Sequence, residues 1–222
     1  MNRYGFLRRI RSRDPSGRSG YKRSLSTRGG MSLTRVRELW GRTIFTILDF
    51  ETTGLDSRVD RICEIGAVRL SETGAETATL DLLVNPGIPI QPGASRVSGI
   101  SDDMVKDARP VEDALPELLE FLGNSVIVAH NASFDLGFLK AAAERAGLAA
   151  PSNPVADTRD LAREAFPGLP SYALQNLARS FGLTPGNAHR ACDDARTCAR
   201  LLTLCVRAAP DGTAGTEIPG IS

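Results

Sequence analysis

Aromatic side chains are scarce in this 222-residue chain, at 5% of residues, so any core must rest on Leu, Val, Ile and Ala. Hydrophobic residues make up 41%, enough for one real core, and the length suits one or two domains of ordinary size. No stretch approaches the roughly 20 apolar residues of a membrane span, which excludes a helical membrane protein and predicts a soluble, cytoplasmic one. The four cysteines, Cys63, Cys192, Cys198 and Cys205, form no CxxC pair. No zinc pattern fits them, and buried free thiols in a reducing compartment are expected. Internal repeats, a second core and the apolar h-region of a secretory signal are missing as well.

Net charge is also small, at +1, but it is unevenly spread. Residues 1–37 carry eleven of the 27 basic residues and one acid, Asp14, for a net of +10; the remainder has a net of −9. An acidic body is an odd match for a polyanion unless some of its acids hold cations. The basic leader is rich in Arg, Ser and Gly without apolar periodicity, which predicts disorder. A nucleic-acid-binding tail, a transit peptide and a true start at Met31 are all compatible with it; an unstructured extension without catalytic role is the favoured reading. The folded domain is expected to begin near Leu39 or Thr43. That gives a basic disordered extension over 1–38, one domain over 39–207 and a flexible tail over 208–222.

Within the domain, Thr43–Phe50 is apolar on both faces, as a central strand is. Ile62–Leu70 and Leu80–Val84 read as two more strands, the last stopped by Asn85-Pro86-Gly87, and the three suit a meander. Residues 87–99, rich in Gly and Pro, read as loop. Ser101 is placed to cap a short helix. Val111–Leu122 repeats apolar residues at helical spacing, and Ser125–Ala129 is a short buried strand. A helix capped by Ser133 should run to about Ala146 and stop at Gly147. Further helices are expected over Asp157–Ala165, Tyr172–Phe181 and Arg190–Arg207. This order describes an α/β domain with a mixed central sheet flanked by helices.

Three segments carry chemistry. Asp49 and Glu51 stand two apart at the end of an apolar strand, so they share a face. Two such carboxylates repel and are costly without a cation, although taken alone they also fit a solvated strand end. In VIVAHNASFDLGF, a buried strand again passes into a helix, with Asp135 in its first turn, where a helix dipole alone would also favour an acid. His130 reads as a satisfied turn histidine. In HRACDD, Asp194 borders the apolar stripe of the last helix, while Asp193, Thr197 and Arg200 line the solvent side. His189 precedes that helix in a loop, beside a carboxylate, which suits a general base near neutral pH. Jointly, four hard oxygen donors suit two Mg²⁺ or Mn²⁺ ions, roughly 4 Å apart, clamping a phosphate.

These segments, Asp49-Phe50-Glu51-Thr52-Thr53-Gly54, His130-Asn131-Ala132-Ser133-Phe134-Asp135 and His189-Arg190-Ala191-Cys192-Asp193-Asp194, resemble the motifs of the DnaQ-like (DEDDh) 3′→5′ exonuclease superfamily, over roughly residues 42–207. The resemblance implies an RNase H-like fold. It implies that Asp49, Glu51, Asp135 and Asp194 bind two metal ions, with Asp49 bridging them, and that His189 is the general base. It further implies that Thr52 contacts the 3′-terminal nucleotide and Leu55 wedges against its base, with Asn131 and Phe134 lining the cleft. The expected reaction is hydrolysis at single-stranded 3′ ends of DNA, releasing nucleoside 5′-monophosphates. RNA shares the site chemistry and differs only in 2′-OH contacts.

ETTGLD and VAHNASFDLGFL are most similar to the exonuclease modules of bacterial replicative polymerases, which makes a DNA polymerase a candidate partner. Two departures stand out. Ser98-Gly99-Ile100 stands where epsilon-type proofreaders typically have His-Gly-Ile, and only about 15 residues follow the last helix. Both lean toward a PolC-like or free-standing repair nuclease. An interaction module with an exonuclease fold is the rival reading.

Overall fold

The computed structural model describes residues 30–183 and 188–209. The expected disorder of the leader and of most of the tail falls outside the described residues. Five strands form one sheet in the order β3-β2-β1-β4-β5. β1 (Phe45–Thr52), β2 (Ile62–Leu70) and β3 (Glu76–Leu83) make the antiparallel meander. β4 (Val126–Ala129) and β5 (Val155–Asp157) run parallel to β1 on its other side. The third strand starts four residues earlier than its apolar signal, because its outer residues face solvent at the sheet edge. β5 is three residues long and gave no periodic signal.

The sheet is covered on both faces, which is why β1 is apolar in both parities. Phe45 and Ile47 face a cluster shared with α1 (Leu33–Leu39), α6 (Thr158–Ala165), α7 (Leu174–Ser180) and α8 (Ala191–Arg207). Leu48 and Phe50 face a second cluster with α4 (Val111–Leu122) and α5 (Ala132–Arg145). Side chains alternate along a strand, so Asp49 and Glu51 follow Phe45 and Ile47 onto the α8 face. The four cysteines are free and buried, three of them in α8. Among the described residues, no helix is long and apolar enough to cross a membrane.

Five expectations need correction. The folded unit starts before Leu39, because α1 buries Leu33 and Val36 in the core and Ser32 caps it by accepting from Arg35 N. Residues 87–99 are not all loop: α2 (Pro92–Ser98) forms there. Its proline is at the first turn, where no N–H is needed, and Gly99 ends it at φ 72°. A four-residue helix, α3 (Asp102–Val105), follows Ser101, whose side chain makes no capping bond. The helix cap of α5 is Asn131 rather than Ser133, since Asp157 accepts from the N–H groups of Asn131 (3.0 Å) and Ala132 (2.8 Å). Thr197 is buried rather than on the solvent side, because α8 lies over β2 and β3, and its hydroxyl donates back to Asp193 O.

Candidate active site

The C-terminal end of β1 is approached from both faces of the sheet. From one side comes the first turn of α5, where Asp135 is 3% exposed and its Oδ1 accepts from Phe50 N at 3.1 Å, the amide directly after Asp49. From the other comes the start of α8. Gly66 in β2 pairs with Asp49 across the strands, and a Cβ there would collide with the Ala191 carbonyl carbon and Cys192 N. The missing side chain lets α8 lie directly on the sheet, which brings Asp194 over Asp49 and Glu51.

Asp194 is nearly buried and oriented from two directions: Gln175 Nε2 donates to its Oδ1 at 2.7 Å, and His189 N donates to its Oδ2 at 3.3 Å. His189 is exposed and has φ 63°, a left-handed backbone uncommon outside glycine. Glu51, His189 and Asp194 each offer a donor atom within 4.8 Å of the others. Asp49 feels Asp135, Asp194, Glu51 and Glu64 electrostatically.

The electrostatics follow from this crowding. Burial, then repulsion from Asp135 and Asp194, pushes the Asp49 carboxyl well above the usual range. Burial raises Glu51 to about 7, helped by Asp194 and Glu64. Asp135 and Asp194 are also raised, chiefly by burial. Carboxyls whose charged forms are disfavoured by burial and by one another are poised for a positive charge. Oxygen-only donors of this kind suit a hard divalent cation better than a soft one.

Three residues that sequence reasoning missed hold the assembly. Glu64, 1% exposed in β2, accepts from Arg190 Nε at 2.9 Å and from Ala191 N at 2.9 Å, so it fastens the first residues of α8. Gln175 orients Asp194, and Asp157 ties β5 to the starts of α5 and α6. Ile62–Leu70 is an apolar run, and a lone Glu inside it was the one available signal for Glu64. Of the other predicted residues, Thr52 donates to Gly54 O at 2.6 Å, Leu55 is 86% exposed, and Phe134 is half-buried against Phe138. Asn131 has φ 69° and accepts from Arg159 Nη1. His130 is satisfied on both ring nitrogens, by Thr158 Oγ1 and Tyr172 O, as expected of a structural histidine. Ser98 is turned inward, bonding Ala94 O and Ile100 N.

The exonuclease family described as RNase_T matches residues 46–202, well over half of the chain. The chain belongs to that exonuclease family. This exonuclease domain is 42% identical over 164 residues to the DNA polymerase III subunit epsilon of Treponema pallidum, covering 73% of the chain and 76% of that protein. It is 41% identical over 157 residues to the PolC-type DNA polymerase III of Caldanaerobacter subterraneus subsp. tengcongensis, covering 71% of the chain but 11% of that much longer protein. The structure of exonuclease X in complex with 5′-overhanging duplex DNA superposes with a TM-score of 0.59 at 32% identity, covering 72% of this chain and 90% of that one. E. coli exonuclease I in complex with a dT13 oligonucleotide superposes at 0.70 with 20% identity, covering 77% and 42%, a likeness of fold. The expected RNase H-like exonuclease fold is therefore the observed one.

Proposed function

We propose that this domain removes nucleotides from single-stranded 3′ ends of DNA, releasing nucleoside 5′-monophosphates. The observation that carries the reading is the meeting of Asp49, Glu51, Asp135 and Asp194, from three distant segments, beside an exposed His189 at one end of β1. The four carboxylates would hold two Mg²⁺ or Mn²⁺ ions. When bound, such ions neutralise the carboxylates and stabilise charge on the scissile phosphodiester.

The protein's own groups do the rest. Asp194 keeps its orientation through Gln175 and the His189 amide. His189 is the general base: its ring takes a proton from the attacking water, and its exposed position lets that proton pass to solvent. A base rather than a third ligand suits a histidine among hard-cation donors. The hydroxide then attacks phosphorus in line, and the 3′ oxygen of the preceding nucleotide leaves. Leu55, apolar and exposed, is the wedge against the terminal base, Thr52 and Asn131 contact the nucleotide, and Phe134 lines the cleft. The relatives in DNA polymerase III motivate a polymerase as partner of this same domain. Side-by-side digestion of 3′-labelled single-stranded DNA, mismatched duplex DNA and short RNA, with Mn²⁺ and with EDTA, tests the reading. Metal-dependent release of mononucleotides from DNA is expected, and faster digestion of RNA than of DNA would overturn the substrate assignment.

A further inference from the structure

Next to the carboxylates lies an open cleft of about 460 Å³ whose character is opposite to theirs. Its walls include Asn131, Arg159, Arg163, Ser171, Tyr172 and Leu174. Both walls lead into the acidic site. Asn131 begins α5, one turn before Asp135, and Leu174 precedes Gln175, which holds Asp194. A polymer with its 3′ end on the carboxylates has this cleft as a path for the strand behind it.

The cleft is built, and it is cationic. Tyr172 is fixed by its hydroxyl, which donates to Phe166 O at 2.7 Å and accepts from Leu169 N, and by His130, which bonds its carbonyl oxygen. Arginines on the α8 side have carboxylate partners: Arg190 has the buried Glu64, and Arg196 has Glu76 and Asp193 at the surface. Arg159 differs. Its Nη1 donates to the neutral Asn131 amide at 3.2 Å, and its Nε is buried with no partner. Arg163 lies 5.4 Å over the Tyr172 ring, with only an exposed ion pair to Asp160. An exposed pair of that kind is weak and readily exchanged for a better anion. In a body of net −9, an arginine without a carboxylate beside the reaction centre calls for an anionic ligand.

We propose that this cleft is a phosphate subsite. Arg159, assisted by Arg163, grips a backbone phosphate of the substrate strand on the 5′ side of the scissile bond. The inference rests on the exonuclease reading above and deepens it. It assigns to two arginines of α6 a hold on the strand, and a guanidinium is the group best matched to a phosphodiester.

The test compares wild type, Arg159→Ala, Arg159→Lys and Arg163→Ala. Binding of a labelled single-stranded dT oligonucleotide of about twelve nucleotides is measured in EDTA, where no turnover occurs. Arg159→Ala should weaken binding about tenfold and reduce the slope of log affinity on log salt by about 0.7, one phosphate's share. Arg159→Lys should recover part of the loss, Arg163→Ala should lose less, and unchanged melting temperatures separate these effects from misfolding. With metal added, the ratio of kcat/KM on the oligonucleotide to kcat/KM on the 4-nitrophenyl ester of thymidine 5′-monophosphate should fall, because the ester has no upstream phosphate. Unchanged affinity and salt slope would overturn the subsite, as would an equal loss on both substrates. Wild-type protein that binds through Arg159 yet cleaves neither substrate would instead overturn the exonuclease reading and leave the subsite standing.

Discussion

In the first half of β1, Phe45, Ile47 and Leu48 are at most 1% exposed, and the one polar side chain, Thr46, accepts from Ser125 Oγ at 2.7 Å. In the second half, Asp49 and Glu51 lie among other acids, and burial and mutual repulsion raise their pKa values. One strand thus joins a segment that stabilises the fold to one that costs it stability. The fold tolerates the second because the first, with the two clusters it joins, supplies the apolar burial that dominates folding. In the function proposed above, the carboxylate end is kept for what it would do to a cation and a phosphate.

Substitutions at the acidic end should have the largest effect. Asp194→Asn keeps the shape of the side chain but removes a charge; turnover should fall by roughly 10⁴-fold, the loss of several kcal/mol of charge stabilisation, while the fold persists. Retained turnover in a single-turnover assay would rule out its metal role. His189→Ala should lose about a hundred- to a thousandfold in rate yet keep the rise in melting temperature on adding Mn²⁺. An undiminished rate removes it as base.

The apolar half predicts the reverse pattern. Leu48→Ala should cost about 2–5 kcal/mol of stability in urea unfolding, with the activity of the folded fraction little changed. The smallest effect concerns Glu51. A carboxyl whose pKa rises on folding holds its proton longer in the folded form, so the folded form loses stability as pH climbs from the unfolded pKa to the folded one. The metal-free protein should therefore lose stability between pH 4.5 and about 7. Glu51→Gln should remove that residue's share of the loss, gaining about 1–3 kcal/mol at pH 8 and nothing at pH 4, while the raised Asp49, Asp135 and Asp194 keep theirs. A metal-free stability curve that is flat across this interval would contradict the strained-carboxylate account.

The central strand was legible because its apolar run and the acids two residues apart obey a strict period, although it runs Phe45–Thr52 rather than Thr43–Phe50. Val111–Leu122 was legible for the same reason, with its boundaries read to the residue. Residues 92–98 were not, because Pro and Gly signal turns without telling a helix's own first residue and cap from a loop. β5 was too short to show a period, and α1 adjoins a basic stretch whose composition hides two core residues, Leu33 and Val36. In the site, Asp49, Glu51, Asp135, Asp194 and His189 could be named from local pattern. Glu64, Gln175 and Arg159 could not, since each matters through a partner from 19 to 127 residues away or through a cleft that exists only once the chain is folded.

The α/β order, the central strand and the set of acids follow from local pattern, because period, turn residues and carboxylate spacing act over a few neighbouring positions. Contacts between distant segments set the rest: α8 lies against Gly66, Glu64 fastens its start, and Arg159, which makes no ion pair among the described residues, lines a cleft at the start of α5. Those outcomes depend on close approach between segments far apart in the chain, and excluded volume and burial act on the folded chain rather than along the sequence.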